Sequence, residues 1–400
     1  MRTIDLIAGA RPNFVKLAPV VHALQKAGTL GFRIVHTGQH YDPAMNDVFF
    51  AELDIPRPDV HLDVGSGSHG AQTARILERY EQHLLTSRPD ATVVFGDVNS
   101  TVACALAAVK LNVPVAHVEA GLRSFDRTMP EEINRILTDA ISGLLLTTEA
   151  SAAENLLREG VPEERIRLVG NVMIDTLFAQ LAKARELRTA RRLGLEGQRY
   201  GLITLHRPSN VDDPSVLQSL FELFEDLSRD LPLVFPMHPR TRAALEKTGI
   251  DLTRSRDGLI LTPPFSYLDN LSMVAGAAIV LTDSGGLQEE TSALDVPCLT
   301  MRNSTERPVT VECGTSRLVG NDPAAIRTAF DSVVAGNWPP ASGIPLWDGL
   351  ASARIVIELA TWIDGLHQTG AVSTSTDAAS PVGAAVPSTR SQQPVIAPIS

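Results

Sequence analysis

The sequence of 400 residues is poor in cysteine, aromatic residues and long hydrophobic runs. Its three cysteines, Cys104, Cys298 and Cys313, form no Cys-x-x-Cys pair, so we expect neither a structural zinc site nor a disulfide framework. No run of 18 apolar residues occurs, which predicts a chain without a transmembrane helix. The charged N-terminus leads directly into a strand-like segment, so we expect no signal peptide and a cytoplasmic protein.

The sequence also lacks an excess of positive charge. Its 35 Lys and Arg residues face 46 Asp and Glu residues, and the formal net charge is −11. This balance argues against general nucleic-acid binding. It does not exclude an anionic small molecule, because a few well-placed Arg or Lys side chains can hold a phosphate group whatever the net charge.

Short apolar runs alternate with longer amphipathic segments along most of the chain. The runs are short and mostly lack polar alternation, which is typical of parallel strands buried on both faces. Between them, apolar residues recur every three or four positions, which predicts helices. The runs cover residues 4–8, 34–37, 92–96, 115–118, 144–147, 202–205, 233–236, 259–262, 278–282 and 297–300. This alternation predicts an α/β fold, and so many strands favour two doubly wound parallel-sheet domains over one sheet.

We place the domain boundary near residue 170, just after a strand-like segment at 166–169, which gives a first domain at 1–170 and a second at 171–349. One long helix over residues 175–192 is predicted just after the boundary. A last amphipathic segment covers 350–366. Residues 370–400 have almost no charged side chains and little to bury, so we predict a disordered tail there.

Two segments that follow predicted strands suit an anion. The first contains Arg11 and Lys16, at the strand edge where α/β sheets bind ligands. The second places Ser284, Gly285 and Gly286 at a helix N-terminus, whose dipole and unpaired N–H groups favour a phosphate. Ordinary surface turns are the alternative interpretation of both segments.

One turn into the same helix, Glu290 could accept hydrogen bonds from paired sugar hydroxyls, as an acidic residue does for ribose in dinucleotide-binding folds. His206 and His238 follow two predicted strands of the second half. A lone histidine is more often structural, but two at neighbouring strand ends favour a site.

Three carboxylates are predicted to lie near the same cleft. Asp97 and Glu119 follow strands, and Glu131 follows Pro130 at the start of a helix. Crowded like charges raise the pKa of at least one carboxyl group, which is how such a group becomes an acid–base catalyst. For Glu131 and its neighbour Glu132, the alternative is a structural role at the positive end of the helix dipole.

Two further motifs carry weak predictions. Residues 65–70 match Gly-x-Gly-x-x-Gly but do not follow the first strand of a βαβ unit, so a dinucleotide site there is disfavoured. His36 and His40 are four residues apart, a spacing that would suit a metal only on a helix, whereas this stretch has a strand and loop pattern.

Together these motifs resemble the non-hydrolysing UDP-N-acetylglucosamine 2-epimerases, from about residue 1 to residue 366. The matching motifs are Gly9-Ala-Arg-Pro, His36-Thr-Gly-Gln-His, Gly96-Asp, His117-Val-Glu-Ala-Gly-Leu-Arg, Pro130-Glu-Glu-Ile-Asn-Arg, His206-Arg, Asp283-Ser-Gly-Gly-Leu-Gln-Glu-Glu and Thr305-Glu-Arg-Pro. The resemblance implies a GT-B-like fold of two Rossmann-like domains facing across a cleft, with the last helix packing back on the first domain.

The resemblance also implies an activity. Family members interconvert UDP-N-acetylglucosamine and UDP-N-acetylmannosamine, by elimination of UDP to 2-acetamidoglucal and re-addition. The expected partner is the UDP-sugar substrate, with no metal, no NAD and no other cofactor, and a homodimer is expected. The product would serve polysaccharide biosynthesis.

The resemblance assigns roles to individual residues. Asp97, Glu119 and Glu131 match the family's catalytic carboxylates, and His206 matches a cleft histidine near the diphosphate. His238 joins the predicted substrate site as the second strand-end histidine. The matched UDP contacts are Arg11, Lys16, Ser284, Gly285, Gly286, Glu290 and Arg307.

Three positions bear on which branch of the family the chain resembles. Ser209 stands where many members have Glu. Residues 39–42 read Gln-His-Tyr-Asp instead of the Gln-His-Arg that binds a second substrate molecule as activator, so we expect no such activation. A related branch epimerises UDP-2,3-diacetamido-glucuronate and tends to lack the motif at 305–308, whose presence here favours the simpler substrate. A hydrolysing relative and a GT-B glycosyltransferase remain alternatives, as does a nucleotide-sugar binder without activity.

Overall fold

The computed structural model of the chain describes residues 1–9, 11–38, 50, 52–253 and 257–368. Several predictions concern residues outside this description. They are the disordered tail at 370–400, the segment at 39–42 with His40, and the side chain of Arg11.

The first half of the chain builds a seven-stranded parallel sheet in the order β3-β2-β1-β4-β5-β6-β7. Its strands are β1 (Thr3–Ala8), β2 (Gly31–His36), β3 (Val60–His61), β4 (Ala91–Phe95), β5 (Val115–Ala120), β6 (Leu144–Thr147) and β7 (Ile166–Leu168). The connecting helices are α1 (Arg11–Ala27), α2 (His69–Thr86), α3 (Asn99–Lys110), α4 (Pro130–Ile141) and α5 (Ala150–Arg158).

The second half builds a six-stranded parallel sheet in the order β10-β9-β8-β11-β12-β13. Its strands are β8 (Gly201–Thr204), β9 (Leu233–Pro236), β10 (Leu259–Thr262), β11 (Ile279–Thr282), β12 (Cys298–Thr300) and β13 (Ser316–Leu318). The remaining helices are α6 (Val172–Glu186), α7 (Thr189–Arg192), α8 (Pro208–Val211), α9 (Pro214–Leu227), α10 (Pro239–Lys247), α11 (Tyr267–Gly276), α12 (Gly285–Ala293), α13 (Val309–Glu312), α14 (Pro323–Val334) and α15 (Ala351–Gln368).

All ten apolar runs predicted as strands form strands, and their side chains supply the cores on both faces of the sheets. Of the other three strands, β7 coincides with the strand-like segment predicted at 166–169, whereas β3 and β13 were not predicted. They have only two and three residues and lie at sheet edges, so they bury too little side chain to leave an apolar run in the sequence.

The predicted helix over residues 175–192 is wrong in its extent. Helix α6 begins earlier, after Asn171, whose side chain accepts a hydrogen bond from the backbone N–H of Met173 at 2.9 Å. It ends at Glu186, because Arg188 adopts a left-handed backbone conformation with φ +47° and the short α7 follows. Helices α6 and α7 both have charged exposed faces, so the sequence pattern continues through residues 187–188 and does not indicate that the helix ends there.

Helix α15 packs against α1 and α6, and its apolar residues join the core of the first sheet. Its first turn is capped by Asp175 of α6, whose carboxylate accepts from the backbone N–H groups of Ala351 at 3.1 Å and Ser352 at 2.7 Å. Among the helices in the described part of the chain, none is long and apolar enough to cross a membrane.

Both sheets share the strand order of a Rossmann-like unit. The first strand of each unit is central, and the later strands are added parallel to it, first on one side and then on the other. In such sheets ligands bind beyond the carboxyl ends of the strands where the order reverses. These points lie between β1 and β4 in the first sheet and between β8 and β11 in the second. The residues that follow these four strands are therefore placed to share one site.

Candidate active site

A cleft of about 1160 Å³ lies between the carboxyl edges of the two sheets. Most of the predicted site residues line it. They are Lys16, Asp97, Glu131, His206, His238, Ser284, Gly285, Gly286, Glu290 and Arg307. Glu119 lies just behind the wall, in contact with Lys16 and Arg307. The structure thus brings together eleven of the twelve predicted residues, and the side chain of the twelfth, Arg11, is not described.

Glu119 is held by cations from both halves of the molecule. Its Oε2 pairs with the ammonium group of Lys16, and its Oε1 accepts from Nη2 of Arg307 at 3.0 Å. The backbone of Glu119 has φ +73° at an irregularity in the pairing of β5 with β6. A left-handed conformation costs a non-glycine residue about 1–3 kcal/mol and is concentrated at functional sites. The strain turns the carboxylate of Glu119 from the sheet toward the cleft edge.

Arg307 contacts three buried carboxylates. Besides Glu119, its Nε lies 2.6 Å from Oε1 of Glu289, and its Nη1 donates to Oε1 of Glu306 at 2.6 Å. Burial disfavours the charge of the guanidinium, but these carboxylates outweigh it and raise the pKa of Arg307 well above its ordinary value. Arg307 was predicted as a UDP contact; here its three nitrogens hold the wall of the cleft together.

The close approach of Arg307 depends on Gly285. A Cβ at this position would lie 2.7 Å from Nη1 of Arg307 and 2.8 Å from Oε1 of Glu306. Such contacts are shorter than any side chain tolerates, so the glycine provides the space for the ion pair. Gly285 is therefore both the first residue of α12 and the position that leaves room for the Arg307 guanidinium.

Asp97 pairs with the guanidinium of Arg135 on α4. The same helix fixes the Asp97 backbone, since Asn134 donates to its carbonyl oxygen at 2.8 Å. Glu132 is buried and accepts from Nη2 of Arg135 at 2.6 Å, which orients that guanidinium. Glu131 is exposed and lines the cleft. The two neighbouring glutamates thus differ: Glu132 supports the structure, and Glu131 is available to a ligand.

The three predicted carboxylates lie near the same cleft, where Asp97 and Glu119 each have a cationic partner. Three buried glutamates of this region have raised carboxyl pKa values. Burial is the largest cause in each case. It raises the pKa of Glu149 to about 7 and that of Glu290 to about 8, and it also raises the pKa of Glu289.

His206 is oriented by a buried aspartate. Its Nδ1 lies 3.0 Å from Oδ1 of Asp283, and Asp283 also accepts from the backbone N–H of Arg207 at 2.8 Å. Burial alone would raise the pKa of Asp283, but these hydrogen bonds and the nearby ring lower it. With Nδ1 directed at a carboxylate, Nε2 is the ring nitrogen left for a ligand.

His238 begins α10, where its Nδ1 accepts from the backbone N–H of Arg240 at 3.2 Å. Its ring centre lies 5.8 Å from that of His206, on the same wall of the cleft. The cap contact gives His238 a structural role whether or not a ligand binds.

The far end of the cleft contains an unusual buried pair. Glu290 Oε2 and the Tyr267 hydroxyl are both buried without a hydrogen-bond partner among the described residues. Burial and the negative charge of Glu289 raise the pKa of Glu290 to about 8. Unpaired buried polar atoms are costly, so this end of the cleft is suited to a ligand that brings hydroxyl groups.

Several residues of this network were not predicted. Arg135, Asp283, Glu289 and Glu306 are part of the motifs quoted above, but nothing in the sequence distinguishes a residue that contacts a ligand from one that holds its neighbour. Glu149 follows β6, as Asp97 follows β4, and its position after a strand was the signal that could have identified it.

Comparison with known proteins now decides the family. The family model described as UDP-N-acetylglucosamine 2-epimerase matches residues 22–360. The chain belongs to the UDP-N-acetylglucosamine 2-epimerase family. The UDP-N-acetylglucosamine 2-epimerase of Methanocaldococcus jannaschii is 41% identical over 363 residues, which cover 88% of this chain and 97% of the relative. A UDP-2,3-diacetamido-2,3-dideoxy-D-glucuronate 2-epimerase of Pseudomonas aeruginosa is 44% identical over 320 residues, 78% of this chain and 87% of the relative.

Solved structures of the family have the same fold. The crystal structure of the Methanocaldococcus jannaschii enzyme in complex with UDP-GlcNAc and UDP has a TM-score of 0.81 and 41% identity, and the match covers 90% of this chain and 99% of that one. The Neisseria meningitidis enzyme bound to UDP-GlcNAc also has a TM-score of 0.81, at 29% identity, covering 90% of this chain and 100% of that one. The predicted GT-B-like fold of two parallel-sheet domains is confirmed, and the family consists of isomerases.

Proposed function

We propose that this epimerase interconverts UDP-N-acetylglucosamine and UDP-N-acetylmannosamine. The observation that carries the proposal is the shared cleft, in which Asp97, Glu131 and the pair of Glu119 with Lys16 face His206 and the N-terminus of α12. The family membership gives the reaction class, and the Methanocaldococcus jannaschii structure in complex with UDP-GlcNAc and UDP supports a substrate of this kind.

The proposed reaction is an elimination followed by an addition. A carboxylate removes the proton from C2, and the C1–O bond breaks with its electron pair leaving on UDP, which gives 2-acetamidoglucal. UDP then adds back to C1, and a proton is delivered to the opposite face of C2. The C2 proton is weakly acidic, so a positioned base is needed, and such groups contribute about 10²–10⁴-fold each. Asp97, Glu119 and Glu131 supply the carboxylates.

The leaving group must be stabilised as its charge develops. The N–H groups at the start of α12 and the free Nε2 of His206 face the same part of the cleft, and Lys16 and Arg307 add positive charge behind them. Keeping UDP and the glucal in one closed cleft makes the re-addition effectively unimolecular. The buried Glu290 and Tyr267 would receive the ribose hydroxyls.

The Pseudomonas aeruginosa relative suggests a second candidate function, the epimerisation of UDP-2,3-diacetamido-glucuronate. Its identity of 44% is comparable to the 41% of the Methanocaldococcus jannaschii UDP-N-acetylglucosamine 2-epimerase. The Thr305-Glu-Arg-Pro motif of this chain favours UDP-N-acetylglucosamine. With this function we also propose a cytoplasmic homodimer that supplies polysaccharide biosynthesis, with domains at 1–170 and 171–349 and α15 as part of the first. The family resemblance supports these assignments.

The test is to incubate the enzyme with UDP-N-acetylglucosamine in D₂O and follow the products by NMR. We expect UDP-N-acetylmannosamine with deuterium at C2 and no accumulation of free UDP. Stoichiometric UDP with free N-acetylmannosamine would indicate a hydrolysing enzyme, and absence of C2 exchange would contradict the elimination. The same incubation with UDP-2,3-diacetamido-glucuronate distinguishes the two epimerase substrates by their kcat/KM.

A further inference from the structure

His117 is a polar side chain of β5 that does not line the cleft. It is fully buried, and its strand lies between β4 and β6. Its Nε2 contacts the carbonyl oxygen of Gly96 at 2.8 Å, and its Nδ1 contacts Oδ1 of Asp139 at 2.6 Å. Gly96 immediately precedes Asp97, so the ring fixes the backbone that carries one catalytic carboxylate.

Both partners of the ring are oxygen acceptors, so a ring N–H of His117 suits either contact. The ring therefore links the Gly96 carbonyl to the Asp139 carboxylate. Burial alone would raise the pKa of Asp139, but the His117 ring and Arg123 outweigh it and lower that pKa. Asp139 is thus a buried carboxylate held between the His117 ring and the guanidinium of Arg123.

The second oxygen of Asp139 reaches the other carboxylate loop. Its Oδ2 accepts from the backbone N–H of Gly121 at 3.1 Å and lies 2.7 Å from Nη1 of Arg123. Gly121 is two residues beyond Glu119 and has φ +79°. Asp139 thus fixes the chain just after the strained Glu119, while His117 fixes it two residues before.

The backbone of Gly96 connects the contacts of His117 with the active-site residues. Gly96 has φ +62°, and a Cβ there would lie 2.7 Å from Nζ of Lys16, the cation that pairs with Glu119. A small shift of this backbone changes the separation of Asp97 from the pair of Lys16 with Glu119.

We propose that His117 and Asp139 are a positioning pair that sets Asp97 and Glu119 relative to one another for proton transfer at C2. The proposal rests on the epimerase function given above. It assigns no contact with substrate to either residue. A misplacement of about 1 Å costs on the order of 10²-fold in rate, so the loss of the pair should appear in turnover and not in UDP affinity.

The competing interpretation is a buried pair that only stabilises the domain. The chain offers a matched control, because His83 and the buried Asp5 form another His–Asp contact in the same domain, at 3.1 Å. Asp5 lies in the first half of β1, away from the carboxyl edge of the sheet. His83→Gln therefore removes a contact of the same chemistry without touching either carboxylate loop.

The experiment compares His117→Gln, Asp139→Asn and His83→Gln in the full-length enzyme. Asp139→Asn keeps the shape and one acceptor, so it tests the pair even if the first substitution impairs folding. UDP affinity is measured by calorimetry, kcat and KM by coupled assay, and C2 deuterium in recovered substrate and in product by NMR.

For the two positioning variants we expect kcat lower by about 10²-fold, with KM and the UDP dissociation constant within about threefold of wild type. Deuterium in recovered substrate and in product should fall unequally, because the two carboxylates are displaced relative to each other. His83→Gln should lower thermal stability and leave kcat unchanged. Equal loss of kcat in all three variants, or loss of UDP affinity with kcat intact, would overturn the proposal. Failure of wild type to exchange C2 would instead overturn the function itself.

Discussion

Arg307 and Glu119 form an ion pair across the cleft, with Nη2 of the arginine 3.0 Å from Oε1 of the glutamate. Glu119 belongs to the first sheet, and Arg307 lies in the segment between β12 and β13 of the second. Both side chains are less than 10% exposed. The pair therefore couples the separation of the two halves to the charge balance of the site, since moving the halves apart would leave two buried charges with fewer partners.

Glu119→Gln should lower both stability and turnover. It removes the negative charge that faces Lys16 and Arg307, and breaking a buried pair costs on the order of 3 kcal/mol. Urea unfolding measures the loss. The control is Glu358→Gln, which breaks the half-exposed contact with Arg167 at 3.1 Å and should cost less than about 1 kcal/mol. Similar unfolding free energies for both variants would show that the Glu119 network does not stabilise the closed cleft.

Asp97→Asn and Glu131→Gln should lower kcat and leave UDP binding nearly unchanged. The two carboxylates are assigned to proton transfer, so the expected loss is about 10²–10⁴-fold in kcat. Steady-state kinetics and UDP calorimetry separate the two effects.

Arg307→Ala should show the opposite pattern. It leaves Glu119, Glu289 and Glu306 without their shared cation, so negative charge accumulates beside the diphosphate. UDP affinity should fall at least about tenfold, which corresponds to about 1.4 kcal/mol. If the carboxylate variants and Arg307→Ala lose UDP affinity to the same degree, the division into catalytic and binding residues is wrong.

The position of the site could be predicted from the sequence because parallel strands place their carboxyl ends at one edge. Asp97, His206 and Ser284 each follow a buried strand closely, and Lys16 lies in the helix that follows β1, so the strand ends bring all four residues to the cleft. The same regularity predicted ten of the strands from apolar runs, and an eleventh, β7, from the strand-like segment at 166–169. It did not predict β3 and β13, which are too short to leave a pattern.

The partners within the site could not be predicted. Arg307 and Glu119 are 188 residues apart, and their contact depends on how the second sheet packs over the first. Asp97 and Glu119 were expected to lie among other carboxylates, and the structure also places Arg135 beside Asp97 and Lys16 beside Glu119. Which carboxylates have a cationic partner depends on how distant segments pack together, and no periodicity in the sequence indicates that packing.

Glu290 should make the stability of the enzyme fall as pH rises. Its pKa is about 8 in the folded state against 4.5 as the ordinary value, so between these values the folded chain binds a proton that the unfolded chain has released. The stability that comes from protonated Glu290 is fully present below pH 4.5 and is lost as pH rises through 8. Over this range the free energy of unfolding falls by up to about 1.4 kcal/mol per pH unit. Chemical unfolding from pH 5 to pH 9 measures it.

Glu290→Gln cannot ionise and should remove this slope, so that the variant is more stable than wild type at pH 9 and not at pH 5. Glu312→Gln, on the exposed face of α13, is the control and should follow wild type at every pH. Parallel pH curves for wild type and Glu290→Gln would contradict the raised pKa.

Gly96→Ala should abolish most activity, whereas Gly28→Ala should not. Both glycines have φ +62°, so both substitutions impose the same left-handed strain, of about 1–2 kcal/mol. A Cβ at Gly28 meets nothing within 4 Å, but one at Gly96 lies 2.7 Å from Nζ of Lys16. Gly96→Ala must therefore push Lys16 from Glu119 or displace Asp97. With equal unfolding free energies, a kcat that falls only in Gly96→Ala assigns the loss to the site, and equal kcat values would show that the Lys16 contact is dispensable.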